Sequence, residues 1–250
     1  MFLRTLVFAC ACLALPACAG PGGPAGAPAK SYVLVQLHTG PRSGQLPADE
    51  QRAAFAGHFA NMQRLADERR LLVAGPYGRA KHDPALRGLF ILDTADLAIA
   101  RELAASDPAV QAGVFVTREF ALQTAAPLRA LLEAELERVA AMRREGREAQ
   151  PGEGMRTYVL LTADEASRAE RALAPLRARG FVLLAARLDG SRAFAVLDAT
   201  DLAGAKAELA GADLGPHVLD EWFGAGGFEQ LAQLADAEVP AAGAASGVQP

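Results

Sequence analysis

The chain has 250 residues, of which 51% are hydrophobic and 22% charged, and its formal net charge is −4. This is the composition of a globular protein long enough to bury a core, and it excludes a collagen, a wholly disordered chain and a disulfide scaffold. Because the 25 basic residues are outnumbered by 29 acidic ones, we expect no nucleic-acid partner.

Residues 1–17 are typical of an export signal, with Arg4 followed by an apolar run shorter than the about 20 residues that span a membrane. The sequence Leu15-Pro16-Ala17-Cys18 resembles the bacterial lipobox, which implies that Cys18 becomes the lipidated N-terminus. An ordinary signal cut after Ala19 also fits the small residues at this point. We therefore expect a protein anchored in the bacterial cell envelope through Cys18, facing the periplasm and most simply in the outer membrane. A soluble periplasmic or secreted protein is the alternative.

The segments around the folded part are simple in composition. All three cysteines lie at or before Cys18, so the mature chain offers no thiol for a disulfide, a zinc site or a nucleophile. Residues 18–30 are rich in Gly, Pro and Ala, which indicates a flexible tether, and residues 231–250 form a similar C-terminal tail.

Between the tether and the tail, the hydrophobic pattern predicts the same element order twice. Residues 31–126 and 156–230 each have the order strand, helix, strand, strand, helix, strand. The sequence Leu92-Asp93-Thr94-Ala95-Asp96-Leu97 is matched in the second unit by Leu197-Asp198-Ala199-Thr200-Asp201-Leu202, which indicates an internal duplication. Residues 127–150 predict an amphipathic helix that connects the units.

A βαββαβ unit forms a four-stranded antiparallel sheet with both helices on one face, which leaves the other face bare. Two units in one chain can cover each other's bare faces. We therefore predict an α+β protein in which tandem ferredoxin-like βαββαβ units pack sheet-to-sheet as an intramolecular pseudo-dimeric α/β barrel. Both a monomeric pseudo-dimer and a higher homo-oligomer are compatible with this fold.

Three features of the first unit resemble the YCII-related family, which belongs to the dimeric α/β-barrel superfamily. They are His58, Ala74-Gly75-Pro76 and the distinctive run Asp107-Pro108-Ala109-Val110-Gln111-Ala112-Gly113-Val114. The resemblance implies the barrel fold and an active site at His58 and Asp107, the predicted catalytic residues. The arginine often found three residues before that histidine is replaced here by Phe55. Relatives differ in activity, so the resemblance implies a cleft rather than a reaction.

The helical spacing of His58 between Phe55 and Met62 predicts that its ring faces the sheet, where a polar group needs a partner. If Asp107 is that partner, the pair could move a proton to or from a ligand. The alternative is a core histidine held by a hydrogen bond, with Ser106-Asp107-Pro108 as an ordinary helix-ending turn. We expect both side chains to face a hollow between the two halves.

The second unit is expected to be degenerate. Counting back from its second strand places Arg168 opposite His58, while Asp213 corresponds to Asp107. The other histidines, His38, His82 and His217, have no paired ligand spacing, so they are expected to be structural or solvated, with no metal site. The chain also has no glycine-rich phosphate loop, so no cofactor is expected.

Two functional hypotheses follow from the sequence. The first is a lipid-anchored protein that binds a small organic molecule in a His/Asp cleft and acts as a cofactor-independent acid/base enzyme. The second is a non-catalytic binding or scaffolding lipoprotein in which His58 is structural.

Overall fold

The computed structural model describes residues 29–150 and 152–231. The predicted signal peptide, the lipid-attachment residue Cys18, and almost all of the tether and tail lie outside these residues. The first half contains β1 (Lys30–Thr39), α1 (Ala48–Asp67), β2 (Leu71–Pro76), β3 (Leu86–Leu92), α2 (Leu97–Ala105), α3 (Pro108–Gln111) and β4 (Phe115–Thr124).

After the connecting helix α4 (Leu128–Arg144), the second half repeats this pattern without a counterpart of α3. It contains β5 (Met155–Ala163), α5 (Ala166–Ala178), β6 (Val182–Leu188), β7 (Arg192–Leu197), α6 (Leu202–Glu208), β8 (His217–Ala225) and the 3-10 helix Phe228–Gln230.

The matched sequences of the two halves end one strand and begin the next helix. In the first half, the side chain of Asp96 accepts hydrogen bonds from the backbone of Ala98 and Ile99 at the start of α2. In the second half, Asp201 accepts one from Gly204 at the start of α6. A carboxylate at this position satisfies backbone N–H groups that have no partner within the helix. The repeated motif is therefore a pair of equivalent helix caps.

All eight strands belong to one antiparallel sheet in the order β2-β3-β1-β4-β6-β7-β5-β8. Each half contributes the same internal order, as expected for two ferredoxin-like units. The halves join where Leu122 of β4 pairs with Leu188 of β6. At the other edge, Tyr77 after β2 forms a bridge to Trp222 of β8. The sheet is thus a nearly closed barrel, which confirms the predicted fold class.

Alternate residues of each strand face different parts of the core. Tyr32 and Leu34 of β1 belong to a cluster inside the barrel that also contains Tyr158 and Trp222 of the second half. Val33, Val35 and Leu37 of the same strand pack instead under α1, α2 and α3 on the outside of the sheet. A corresponding outer cluster lies under α5 and α6. The bare inner faces therefore cover each other, while each half keeps its own outer helical layer.

The two ends of the barrel differ. The end where β1 and β5 begin is filled by the interior-cluster residues of α4 and of the segment after β8, namely Leu128, Leu131, Leu132, Phe228 and Leu231. The end where β1 and β5 finish contains a cavity. Among the helices of residues 29–150 and 152–231, none is both long and apolar enough to span a bilayer.

Candidate functional site

The structure brings His58 and Asp107 into direct contact. His58 lies on α1, and Asp107 caps the N-terminus of α3, where its Oδ1 accepts a hydrogen bond of 2.8 Å from the backbone of Ala109. Its Oδ2 accepts a second bond from Nδ1 of His58, at 2.6 Å. The Asp107 side chain is only 1% exposed. A buried carboxylate with both oxygens bonded fixes the ring orientation of His58. Nε2 is then the one ring nitrogen of His58 that can still bond to another group.

Aromatic rings surround His58. Its ring centroid lies 5.3 Å from that of Phe59, 5.9 Å from that of Phe90 and 5.5 Å from that of Phe115, and the Phe90 ring is nearly parallel to it. His58 is 7% exposed as a residue. Nε2 has no hydrogen-bond partner among the described residues, and it is not one of their fully buried unpartnered atoms. Nε2 is therefore the nitrogen of the pair that remains available to a ligand.

Gly57 allows this contact to form. A Cβ atom at Gly57 would lie 2.8 Å from both Cβ and Cγ of Pro108, closer than real Cβ atoms approach such neighbours. Only glycine therefore lets α3 approach α1 closely enough for Asp107 to reach His58. Sequence reasoning missed Gly57, although a glycine inside a helix, which costs about 1 kcal/mol relative to alanine, is a signal of close packing.

A cluster of hydrogen-bonded polar side chains lies next to the His58–Asp107 pair along α1. Asn61, one turn after His58, is buried, and its Oδ1 accepts hydrogen bonds from Nη2 of Arg64 at 2.7 Å and from Oγ of Ser106 at 3.3 Å. Ser106 directly precedes Asp107, so this group ties the end of α2 to the same face of α1. Sequence reasoning missed Asn61, and the available signal was its spacing of three residues from His58.

The pair does not lie where the sequence analysis placed it. His58 contacts Phe90, which is opposite Val35 on the outer face of the sheet, whereas the interior cluster uses the other face of β1. The expectation that both side chains face a hollow between the halves is therefore wrong. The pair lies outside because α1 and α3, which carry His58 and Asp107, cover the outer face of the sheet and not its interior.

Two cavities occur elsewhere in the described structure, and neither is lined by His58 or Asp107. The larger, of about 730 Å³, lies at the open end of the barrel, and His38, His82 and His217 all line it. The smaller, of about 360 Å³, lies beside α5. Sequence reasoning treated these three histidines as unrelated, because the residues that bring them together come from both halves. Within residues 29–150 and 152–231, no three His, Cys, Asp or Glu side chains are arranged to hold a metal ion.

The counterpart of His58 in the second half differs from the expected one. Arg69 after α1 and Gly180 after α5 both have a positive φ, of 57° and 79°, and the backbone hydrogen bonds that follow them match. This register aligns His58 with the fully buried Ala169. The prediction that Arg168 is the counterpart of His58 is wrong by one residue. Counting back from the second strand did not align the two positive-φ residues, Arg69 and Gly180, with each other.

Arg168 instead contacts the other predicted residue of the second half, Asp213. Nε of Arg168 lies 2.9 Å from Oδ1 of Asp213. Both side chains are exposed, and the hydrogen bond from the Arg168 guanidinium holds the pKa of Asp213 below its ordinary value. An exposed ion pair of this kind is no counterpart of a buried imidazole–carboxylate pair.

The comparison with protein families concerns the first half. Residues 33–121 match the family model of the YCII-related domain. No curated protein matches the chain. The YCII-related domain extends from β1 to β4, so it contains His58, Asp107 and the residues that position them. The second half lies outside the match.

Proposed function

We propose that the protein binds a small organic molecule at His58 of the YCII-related domain and transfers a proton to or from it without a cofactor. The supporting observation is the 2.6 Å contact between Nδ1 of His58 and the buried carboxylate of Asp107, which leaves Nε2 without a partner among the described residues. An imidazole held in this way is a typical general acid or base.

In this proposal Asp107 is a positioning residue and His58 touches the ligand. The hydrogen bond from Nδ1 keeps the proton on that atom, so Nε2 carries the lone pair that accepts a proton from the ligand. Asp107 then stabilises the imidazolium that forms. Such proton transfer is worth about 10² to 10⁴ in rate. Phe59, 63% exposed beside the ring, provides an apolar surface for the ligand.

A second candidate is a non-catalytic binding or scaffolding protein in which His58 is structural. The observation that favours it is the low exposure of His58 inside its aromatic surroundings. A histidine that only joins α1 to α3 would have the same hydrogen bond to Asp107. The two candidates differ in whether Nε2 takes part in ligand binding.

A ligand screen on three variants separates the two candidates. Wild type, His58→Gln and Asp107→Asn are compared in thermal-shift measurements against a metabolite library, and each hit is then assayed for turnover. Asp213→Asn is the matched control, because Asp213 is exposed and lies in the second half. We expect a hit that raises the melting temperature of wild type and the control but not of the other two. A ligand that stabilises all four alike would remove His58 from the binding site.

We also propose that Cys18 anchors the protein in the cell envelope, on the basis of its lipobox-like sequence and the Gly/Pro/Ala-rich tether that follows. Cys18→Ala should move the protein from the membrane fraction to the soluble fraction. Wild type already soluble in the periplasm would contradict the anchor. Since the barrel closes within one chain, we propose a monomeric pseudo-dimer, which sedimentation of the mature protein tests against a homo-oligomer.

A further inference from the structure

The cavity at the open end of the barrel, the barrel-mouth cavity, exists because the two halves differ in one connection. In the first half, the β2–β3 connection 77–85 crosses to β8, and backbone bonds join Gly78 and Ala80 to Glu221. In the second half, the β6–β7 connection is only 189–191 and reaches Ala121 of β4 through Asp189. One side of the mouth is therefore covered and the other is open, which leaves a cavity of about 730 Å³.

The long connection places a second histidine–aspartate pair at this cavity. Nδ1 of His82 lies 2.8 Å from Oδ2 of Asp220, and the backbone N–H of His82 donates to Oδ1 of Asp220 at 2.7 Å. The Asp220 side chain is 6% exposed and the His82 side chain 42%. Here the carboxylate is buried while the imidazole is accessible, and the two residues come from different halves.

The duplication shows that the fold does not need Asp220. In the first half, Ala121 lies opposite Val33 of β1. In the second half, Glu221 lies at the equivalent position, opposite Val159 of β5. Phe120 in the first half is therefore the equivalent of Asp220. A buried carboxylate is costly unless it is well bonded, and an aromatic residue occupies the same place in the other half. Asp220 is thus a special feature of one half, and His82 is its partner.

The free nitrogen of His82 faces no competing protein group. Its Nδ1 is engaged by Asp220, and Nε2 has no hydrogen-bond partner among the described residues. His217, also in the cavity wall, donates from Nδ1 to the carbonyl oxygen of Gly215 at 2.8 Å. Burial, together with nearby Arg118 and His82, lowers the pKa of His38 and favours its neutral form.

The cavity wall also contains a cation with no described partner. Arg118 is opposite Gln36 on the inner face of the sheet, is exposed, and makes no hydrogen bond or ion pair with any residue of the described ranges. The other arginine of the wall, Arg192, pairs with Asp189 and lies over the Phe120 ring. Asp83, Glu119 and Asp164 line the same cavity, so a singly charged anion fits better than a doubly charged one.

We propose that the barrel-mouth cavity binds a small carboxylic acid, with Arg118 pairing with its carboxylate and Nε2 of His82 hydrogen-bonding the ligand. Asp220 is the positioning residue, because it holds Nδ1 of His82 from the other half. A guanidinium matches a carboxylate in geometry as well as charge. This site is separate from His58 and Asp107 and does not depend on their function.

Calorimetry with glycolate, acetate and inorganic phosphate as probes tests the proposal on the full mature chain. We expect saturable binding of glycolate and acetate, tighter than that of phosphate. Arg118→Gln removes a charge-assisted bond and should weaken glycolate binding about tenfold or more. Arg42→Gln is the matched control, because Arg42 is an exposed arginine outside the cavity wall, and it should leave the affinity unchanged.

Nitrogen-15 NMR of the histidine rings locates the binding. Saturating glycolate should shift the Nε2 signal of His82, and His82→Gln should weaken binding while preserving the spectrum of the rest of the protein. His58→Gln should leave glycolate binding unchanged, so this result is independent of the proposed function. No saturable binding of any probe, equal binding by Arg118→Gln, phosphate binding as tightly as glycolate, or an unmoved His82 signal would each overturn the proposal.

Discussion

Asp107 joins the chemistry of the candidate site to the stability of the fold. Its two oxygens accept hydrogen bonds from the ring of His58 and from the backbone of Ala109, so one side chain both orients the imidazole and begins α3. Removing a partner from a buried hydrogen bond leaves the other group unsatisfied, which costs more than the bond itself contributes. Any change at Asp107 should therefore affect folding as well as ligand binding.

We expect Asp107→Asn to lower the free energy of unfolding by about 1 to 3 kcal/mol, the range for a disrupted buried hydrogen bond to a charged group. The amide cannot accept with the same strength from both donors. Urea denaturation followed by circular dichroism measures the change. Asp213→Asn, at an exposed position, should leave the urea midpoint unchanged, and an equal loss in both variants would contradict the buried role of Asp107.

His38 should make stability depend on pH. Burial and the nearby Arg118 lower the pKa of His38 from its ordinary value of 6.5, against an opposing effect of Asp83. The unfolded chain then binds more protons than the folded chain below that value, so stability is complete above about pH 6.5 and falls as the pH drops toward the folded-state pKa. His38→Gln should reduce this fall in urea titrations at several pH values. An unchanged pH slope in the variant would contradict the prediction.

The sequence could identify His58 and Asp107 but not their surroundings. Helical spacing showed that His58 faces the sheet, and the resemblance pointed to Asp107 as the second residue of the site. Which side of the sheet they occupy depends on whether α1 covers the inside or the outside of the barrel, and a helix has the same amphipathic pattern in both cases. The roles of Asn61 and Gly57 could not be predicted, because they depend on contacts with Ser106 and Pro108, which come from other parts of the chain.

Helix α1 can approach α3 only because of Gly57. We expect Gly57→Ala to destabilise the protein by about 1 to 3 kcal/mol through overpacking against Pro108, although alanine favours a helix. Gly204 in α6 is the matched control, since a Cβ there would lie 3.5 Å from its nearest neighbour, an oxygen of Asp201. Gly204→Ala should therefore preserve or increase the thermal midpoint. A stabilised Gly57→Ala variant would show that α3 can move away without cost.

Helices and strands were more predictable than the connections between them. The repeated aspartates Asp96 and Asp201 both mark helix starts, because a cap is a local interaction that a short sequence contains completely. The β2–β3 connection is the opposite case. Its hydrogen bonds go to Glu221 and Asp220, more than a hundred residues away, and no local pattern encodes such a pairing.

Besides the β4–β6 pairing, the two halves meet along the β2–β8 seam, formed by Gly75, Tyr77 and Trp222. Nε1 of Trp222 donates to the carbonyl oxygen of Gly75 at 3.0 Å, and a Cβ at Gly75 would lie 2.2 Å from the backbone oxygen of Phe223. The sequence predicted that two bare faces cover each other, which the interior cluster confirms. It contained no signal for which edges join, because a glycine in a strand is also compatible with a bulge or a bend.

Gly75→Ala should open the β2–β8 seam without unfolding either half. The added methyl group forces the two backbones apart, and overpacking of this kind costs about 1 to 3 kcal/mol. Hydrogen exchange should then accelerate for amides of β2 and β8 while those of β1 and β4 keep their protection. Uniform acceleration in all strands would instead show that the barrel unfolds as one cooperative unit.

Trp222 is the chain's one tryptophan, and it is 1% exposed. Its indole packs against Tyr158 and Phe228 of the second half and bonds to Gly75 of the first. Intrinsic fluorescence excited at the indole band therefore monitors one place only, the β2–β8 seam, which is one of the two junctions between the duplicated units. A red shift in emission that precedes loss of far-ultraviolet ellipticity would record the units separating while each is still folded, with no label added to the protein.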